Sequence, residues 1–417
     1  ARRRRVSRLY QPTRCIGKHK GDSMLLAVPK EIMEGEGRVA ATPETVTRYL
    51  ELGFEVVVET GAGTGAFISD QAYQEAGAKT VSGPEVLYGR ADVILKVKQP
   101  VENRRLGRHE VDLMKEGAML VAFLHPAAPS NHDMVRRLQR RRITAFSLDN
   151  IPRTLSYAQP MDALTSMSTV TGYRSVLLGA DRLPRFVPLV GTAVGVIHPA
   201  RFLIVGTGVV GLQAIATAKR LGANITAVDI RPQAREQAST LGAKVAGFEV
   251  PVEFAEAEGG YAKALPSDWL ERERRFLEPL VAEADVVISS ALVPGERAPV
   301  LITESMVRRM KPGSVIVDVA VDQGGNCSVT VPSEERMVGD VRLCGLQNIP
   351  GRMPVDSTVL YSRNALHFIE HVFRPDVGQP NLEDEIARAC LVTHAGEILH
   401  AGTLRAMRGD STGTTAE

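Results

Sequence analysis

What this sequence lacks excludes several common protein classes. It has no run of about 20 apolar residues, so we expect no membrane-spanning helix. Its formal net charge is +2 over 417 residues, which gives no reason to expect a nucleic-acid partner. The cysteines lack metal-ligand spacing, so we predict no metal site, and they are typical of reduced, mostly buried thiols in a cytosolic protein. They are Cys15, Cys327, Cys344 and Cys390.

Both ends of the chain are poor in apolar residues. Residues 1–23 carry eight arginines and lysines against one acid, which predicts a disordered basic extension. This extension is either a targeting peptide or sequence upstream of a true start at Met24, and we favour the second interpretation. Residues 403–417 are small and polar, and we predict a disordered tail there.

The most informative segment is Arg201–Asp229. Phe202–Val205 is a short apolar run that predicts one buried parallel strand. Gly206, Gly208 and Gly211 then form G-x-G-x-x-G where the strand becomes a helix. The first glycine permits a tight turn, the second lets a pyrophosphate approach the backbone, and the third lets the helix pack on the strand. The helix N-terminus offers N–H groups to the phosphates.

Asp229 ends the second strand of this unit. At that position we expect an acid to bond the ribose hydroxyls of NAD and to repel the 2′-phosphate of NADP. A glycine-rich turn alone is a weak signal. The order of strand, glycines, helix, strand and acid together predicts a site for NAD(H).

Strands and helices alternate along the rest of the chain, which predicts mostly parallel sheets. The predicted strands are Leu25–Val28, Glu55–Glu59, Ala91–Val97, Ala118–Leu124, Val286–Ser290 and Val315–Ala320. The longer predicted helices are Met167–Leu183 and Val359–Val372. We therefore expect an α/β fold with two Rossmann-like domains and a cleft between them. Residues 24–165 with 346–402 would form the first domain, and residues 166–345 the NAD(H)-binding domain.

Several motifs resemble one known group, the alanine dehydrogenase and nicotinamide nucleotide transhydrogenase superfamily. The resemblance covers residues 24–402. The shared motifs are P-K-E-I at Pro29–Ile32, R-V-A-A-T-P at Arg38–Pro43, E-T-G-A-G at Glu59–Gly63, A-L-V-P-G at Ala291–Gly295 and K-P-G-S-V-I-V-D at Lys311–Asp318.

One loop is similar to the transhydrogenase branch specifically. The segment I-P-R-T-L-S-Y-A-Q-P-M-D-A-L at Ile151–Leu164 matches the loop that this branch places beside the nicotinamide. The resemblance assigns Arg153, Gln159 and Asp162 to that site, and Thr165 keeps the hydroxyl of the usual serine. The loop departs from the family pattern, because it has one extra residue between Arg153 and Gln159, and a tyrosine replaces the usual second arginine.

A second segment, E-G-G-Y-A-K at Glu258–Lys263, is similar to the mobile loop that folds over the bound nucleotide in that branch, with its tyrosine at Tyr261. The resemblance implies the NAD(H)-binding alpha subunit of a proton-translocating NAD(P) transhydrogenase. It further implies hydride transfer to NADP⁺ on a separate, membrane-embedded partner subunit. The chain would be a homodimer in the cytoplasm, held at the inner membrane through that partner.

Other side chains resemble the substrate site of alanine dehydrogenase. The matching residues are Arg38, Lys98, His125 and Asp322. In that family an arginine and a lysine hold the substrate carboxylate, a histidine transfers a proton, and an aspartate lies near the nicotinamide. Oxidative deamination needs a general base near neutral pH, which histidine supplies. Hydride transfer between two nicotinamides needs only close, dry and oriented rings.

Three functions therefore stay open, and the transhydrogenase subunit is favoured over a free-standing amino-acid dehydrogenase and over an NAD(H)-sensing protein without catalysis. Each side chain also has a purely structural interpretation. These interpretations are a solvated strand-end charge for Lys98, a core histidine for His125, a turn cap for Asp322, an interface ion pair for Arg153 and a packed loop aromatic for Tyr261.

Overall fold

Two mostly parallel sheets flanked by helices form the protein in a computed structural model, which describes residues 23–255, 262–293, 297–374 and 379–410. The predicted α/β class with two Rossmann-like sheets is therefore confirmed.

Residues 25–182 supply the first sheet and a long helix that follows it. Their elements are β1 (Leu25–Val28), α1 (Pro43–Glu51), β2 (Glu55–Glu59), α2 (Asp70–Glu75), β3 (Lys79–Val81), α3 (Pro84–Arg90), β4 (Val93–Leu95), β5 (Glu102–Asn103), β6 (Arg108–His109), α4 (Glu110–Leu113), β7 (Met119–Ala122), α5 (His132–Arg140), β8 (Thr144–Ser147) and α6 (Ala163–Arg182). Short 3₁₀ turns occupy Thr64–Ala66, Pro129–Asn131, Leu148–Asn150 and Ser156–Met161.

Residues 190–344 supply the second sheet and a small hairpin. Their elements are β9 (Val190–Thr192), β10 (Gly195–Ile197), β11 (Arg201–Val205), α7 (Val209–Arg220), β12 (Asn224–Val228), α8 (Pro232–Thr240), β13 (Lys244–Val245), α9 (Val252–Ala255), α10 (Ser267–Glu283), β14 (Val286–Ser289), α11 (Glu304–Val307), β15 (Val315–Asp318), β16 (Glu335–Val338) and β17 (Val341–Cys344). A 3₁₀ turn at Val319–Gln323 follows β15.

The C-terminal part returns to the first sheet. After a 3₁₀ turn at Ile349–Arg352 come α12 (Pro354–Val372), β18 (Phe373–Arg374), β19 (Gln379–Pro380), α13 (Glu385–Cys390), β20 (Leu391–His394), β21 (Glu397–Ile398) and α14 (Ala401–Asp410). Strand β20 pairs antiparallel with β8, and α12 packs its buried face, including Tyr361 and Phe368, into the first core.

The strand order places a reversal at the centre of each sheet. The first sheet runs β3-β2-β1-β4-β7-β8 with β20 and β21 added at one edge, and the second runs β13-β12-β11-β14-β15-β17-β16. In open α/β sheets, ligands bind outside the carboxyl ends of the strands where the order reverses. These points lie between β1 and β4 in the first sheet and between β11 and β14 in the second.

Helix α6 belongs to both cores. Met167, near its start, packs in the first core, whereas Val176, further along, packs in the second. Between them, Gly172 faces α7 so closely that a Cβ there would collide with the backbone oxygen of Val210. This approach fixes the start of α6 relative to the helix that follows the glycine turn.

The observed boundaries differ from the predicted ones for local reasons. Helix α6 begins at Ala163 rather than Met167 because the Asp162 side chain accepts the N–H of Thr165 and caps the first turn. Helix α12 begins at Pro354 rather than Val359, with proline in its first turn. Strand β4 is shorter than predicted and pairs with β1 at only two positions.

The predicted disordered tail is wrong over its first residues. Helix α14 reaches Asp410, and Thr403 is fully buried and hydrogen-bonded to His400. Residues 411–417 and residues 1–22 lie outside the described ranges. Across those ranges, no helix combines the length and apolar character that crossing a membrane requires.

We expect the substitution Gly172→Ala to destabilise the protein by about 1–3 kcal/mol, because the added methyl group overpacks the contact between α6 and α7. Gly89→Ala is the matched control, since Gly89 lies in helix α3 with no atom within 4 Å of an added Cβ. That change should be neutral or stabilise by up to about 1 kcal/mol. Chemical denaturation measures both, and equal effects would contradict the proposed contact.

Candidate active site

The glycine turn between β11 and α7 has the geometry of a phosphate-binding turn. Gly206 has φ of 87°, a left-handed conformation that favours glycine, and a Cβ there would lie 2.8 Å from the backbone nitrogen of Ala291. A Cβ at Gly211 would collide with the carbonyl oxygen of Gly206. Gly208 leaves open space next to the guanidinium of Arg231. Each glycine therefore has the backbone or packing reason that the sequence predicts.

Asp229 lies beside this turn and is already strongly hydrogen-bonded. Its Oδ2 accepts from the N–H of Thr207 at 2.7 Å and from Nη2 of Arg231 at 2.8 Å, and its Oδ1 accepts from Nε of Arg231 at 3.0 Å. Burial would raise the pKa of Asp229, but the hydrogen bonds and charge of Arg231 hold it below its usual value. A ribose bound here would therefore meet a carboxylate paired with a cation. Arg231, two residues after the acid, is a residue that the sequence reasoning missed.

A second group lies at the start of α6. The carboxylate of Asp162 accepts the backbone N–H of Thr165 at 2.8 Å and its hydroxyl at 2.6 Å. Nε of Arg153 lies 3.3 Å from the same carboxylate. Gln159 is exposed, and its amide has no hydrogen-bond partner among the described residues. The structure thus brings these four predicted residues to one helix start, with one amide left for a ligand.

The loop that carries Gln159 is held from the C-terminal side. Tyr157 donates a hydrogen bond to Glu385 at the start of α13, and its ring lies 5.9 Å from the ring of His371 on α12. The tyrosine that departs from the family pattern therefore has a structural partner. It ties the loop at Ser156–Met161 to the returning segment of the first domain.

His125 and Asp149 form an ion pair at the carboxyl ends of β7 and β8. Nδ1 of His125 lies 2.8 Å from Oδ1 of Asp149. The other carboxylate oxygen accepts the backbone N–H groups of Leu124 and His125 at 2.9 and 2.8 Å. These bonds support His125 at φ 43°, which is unusual for a residue with a side chain. Asp149 was missed from the sequence, although an acid directly after a parallel strand was its signal.

The charges of this pair shift both pKa values. Asp149 raises the pKa of His125 above 6.5, although burial opposes the shift. Burial would raise the pKa of Asp149, but His125 and its hydrogen bonds lower it to about 2. The pair is therefore ionised on both sides from about pH 2 to somewhat above pH 6.5. A histidine kept protonated in this range would first have to lose a proton before acting as a base.

Lys98 and Asp322 lie close enough to act on His125 electrostatically. Burial, followed by the positive charge of Arg38, lowers the pKa of Lys98. Asp322 is exposed and accepts a hydrogen bond of 2.8 Å from Gln347. Since Asp322 follows a strand of the second sheet, this group spans the cleft between the two sheets. The structure therefore brings the dehydrogenase-like residues together.

Arg38 is already paired. Its Nε and Nη2 donate to the two oxygens of Glu36 at 2.8 and 2.5 Å, and Nη2 also donates to Asn348 at 3.1 Å. Arg38 is 3% exposed. A substrate carboxylate would have to displace Glu36 to bind this guanidinium in a bidentate manner.

Behind Lys98 lies a buried charge cluster that the sequence reasoning also missed. Nζ of Lys96 lies 3.2 Å from Glu31 and 3.1 Å from Glu110, and all three side chains are at most 3% exposed. Glu31 also accepts the backbone N–H of Val97 at 2.6 Å. The cluster therefore fixes the strand end from which Lys98 projects. The P-K-E-I and L-K-V-K motifs were its signal.

Two predictions have a limited outcome here. Tyr261 lies outside the described residues. Within the described part of the chain, no group of three or more His, Cys, Asp or Glu side chains could hold a metal ion.

Known proteins match the chain along both sheets. The family model described as alanine dehydrogenase/PNT, N-terminal domain, matches residues 27–171, and the corresponding C-terminal domain matches residues 175–401. The first section of the NAD(P) transhydrogenase alpha subunit of Rhodospirillum rubrum, a separate chain there, is 43% identical over 380 residues, covering 90% of this chain and 98% of that protein. Alanine dehydrogenase of Bacillus subtilis is 31% identical over 400 residues, covering 92% and 94%.

A solved structure, that of transhydrogenase from Sinorhizobium meliloti, has a TM-score of 0.78 and 36% identity, covering 90% of this chain and 99% of that one. The resemblance to this superfamily is therefore confirmed. The homologues named transhydrogenase subunit alpha also confirm the predicted oxidoreductase class.

We expect Asp149→Asn to lower the pKa of His125 by about one unit or more, because the facing negative charge is lost. A histidine-selective NMR pH titration measures this shift. Asp133→Asn is the matched control, because Asp133 is an exposed acid on α5 that pairs with Arg137. An unchanged pKa of His125 in the Asp149 variant would contradict the ion pair.

Proposed function

Because the chain belongs to the alanine dehydrogenase/PNT family, we propose that it is the NAD(H)-binding subunit of a proton-translocating NAD(P) transhydrogenase. NADH bound at the glycine turn would pass hydride to NADP⁺ on a partner subunit. That partner would also carry the membrane-embedded part. The chain would then lie in the cytoplasm, peripheral to the inner membrane.

The observation that carries this proposal is the group at the start of α6. Asp162, Thr165 and Arg153 hold one another in place, while the amide of Gln159 is left unpaired among the described residues. The same helix packs on α7, which begins at the glycine turn. A dinucleotide with its pyrophosphate at that turn could therefore present its nicotinamide end to this group. Fixed polar groups of this kind orient a ring without supplying an acid or a base.

The state of Arg38 and His125 supports hydride transfer over deamination. Arg38 is paired with Glu36, so its charge is already compensated. Asp149 holds His125 in its protonated form over the acidic range, and the ion pair must be broken before the histidine accepts a proton. Neither cost arises when hydride passes between two nicotinamides.

We expect Gln159→Ala to slow hydride transfer from NADH to an NADP⁺ analogue on the partner subunit by about 10–100-fold, because misorientation of reacting groups is costly. His125→Ala should leave this rate nearly unchanged. Gln71→Ala is the matched control, since Gln71 is exposed on α2. The assay is stopped-flow absorbance with the partner subunit supplied. A large loss in His125→Ala with no loss in Gln159→Ala would refute the proposed assignment.

The second candidate function is an NAD-dependent amino-acid dehydrogenase. The mutual influence of Lys98, His125, Asp149 and Asp322 across the cleft favours it. If it holds, the purified chain alone should reduce NAD⁺ with alanine or another simple amino acid. His125→Ala would then lower kcat by about 10²–10⁴-fold, as is typical when a general base is lost. Turnover of an amino acid by the chain alone would replace the first proposal.

A homodimer is part of the proposal, and the hairpin of β9 and β10 supports it. Val194 at its tip is 99% exposed, and Val196 and Ile197 on β10 are also exposed. Nearby, Phe186 and Leu189 are exposed as well. Monomeric proteins rarely expose contiguous apolar patches of this kind, and self-association buries the same patch on both copies.

We expect the double variant Val194→Asp, Val196→Asp to be monomeric where the unaltered chain is dimeric, because two charges would be buried without partners. Light scattering coupled to gel filtration gives the mass. The matched control is Val355→Asp, an exposed valine on α12 away from the hairpin. A dimer that survives the double variant would place the interface elsewhere.

A further inference from the structure

The buried face of α10 carries one acid. Glu273, Leu277 and Val281 follow one another at four-residue spacing, and all three are buried. Glu273 is 6% exposed. Helix α10 ends just before β14 begins, so its first turns lie toward the carboxyl edge of the sheet. That is the edge where Asp229 follows β12.

No donor among the described residues hydrogen-bonds to the carboxyl group of Glu273. Burial and the negative charge of Asp229 raise its pKa to about 7, against the weaker opposite effect of Arg274. Arg274 cannot neutralise it fully, because its guanidinium donates to the carbonyl of Val300 and to Glu271.

Other charged side chains on the neighbouring elements are turned elsewhere. On α11, Glu304 pairs with Arg308. Glu249, Glu253 and Lys263, on the segments before α10, are exposed. In the described part of the chain, the charges that act on Glu273 are therefore those of Asp229 and Arg274.

The charge balance beside the glycine turn depends on this acid. Asp229 and Arg231 form an ion pair, so together they carry no net charge. Nη2 of Arg231 lies 4.0 Å from the position of a Cβ on Gly208, next to the turn that would receive phosphate. An acid at this place disfavours a 2′-phosphate, whereas an arginine accommodates one. With Glu273 protonated the three groups sum to zero, and with Glu273 ionised they sum to one negative charge.

We propose that Glu273 is a specificity-determining residue whose ionisation makes the site reject nucleotides that carry a 2′-phosphate. Selectivity for NAD(H) over NADP(H) would therefore increase with pH. This inference rests on the proposed function, in which NAD(H) binds at the glycine turn with its ribose at Asp229. Glu273 acts through the charge of Asp229 and Arg231 rather than by contact with the reacting ring.

The test compares the unaltered chain with Glu273→Gln, because glutamine mimics the protonated acid. Dissociation constants for NADH and NADPH are measured by fluorescence from pH 6 to pH 8.5. In the unaltered chain, the ratio of the NADPH constant to the NADH constant should rise about tenfold more than in the variant. The variant also corrects for the second ionisation of the 2′-phosphate itself, near pH 6. Glu271→Gln, an exposed acid on the same helix, should behave as the unaltered chain.

A second readout does not need nucleotide. Folding raises the pKa of Glu273 from 4.5 to about 7. The carboxyl's contribution to stability is therefore complete below pH 4.5 and is lost as the pH rises through about 7. Chemical denaturation should show this loss in the unaltered chain and in Glu271→Gln, but not in Glu273→Gln.

The outcomes separate the two ideas. Parallel selectivity curves for the unaltered chain and Glu273→Gln would overturn this inference and leave the proposed function intact. Identical stability curves for the two would do the same. Binding of neither nucleotide would overturn the proposed function and this inference with it.

Discussion

The close approach of α6 to α7 is the constraint on which the site depends. Gly172 permits it, because any side chain there would collide with the backbone at Val210. About ten residues separate Gly172 from the group at Asp162, or roughly 15 Å along the helix. The phosphate-binding turn lies at the start of α7. One helix pair therefore sets the distance between the place where a dinucleotide is anchored and the place where its reactive ring would be held.

Around this frame, nearly every charge in the site is compensated by a neighbour. Arg38 is paired with Glu36, His125 with Asp149, Arg153 with Asp162, and Arg231 with Asp229. Pairing lowers the cost of burying these groups, since an isolated buried charge is far more expensive. It also means that a charged ligand must compete with an existing partner. Neutral parts of a ligand, such as a carboxamide or a ribose, can bind by additional hydrogen bonds.

The sequence predicted the elements whose signals are local. The strand at Leu25–Val28 and the turn at Gly206–Gly211 have the predicted positions, because each depends on residues close together in the chain. The start of α6 was placed four residues too late, although Asp162 is a good capping residue. Asp149 was missed because its importance comes from His125, which lies on another strand. Glu273 was missed for the same reason, since only the packing of α10 brings it near Asp229.

The two enzyme functions differ most in what they require of the ion pair at His125. Deamination needs a base that accepts a proton near neutral pH. Asp149 stabilises the protonated histidine, and its two backbone hydrogen bonds fix the carboxylate in place. Such an arrangement favours a permanent positive charge that orders the strand ends at the cleft. Transfer of hydride benefits from that order without a proton having to move. The family holds both chemistries on one fold, and in this chain the dehydrogenase-like residues are assembled with their charges already paired.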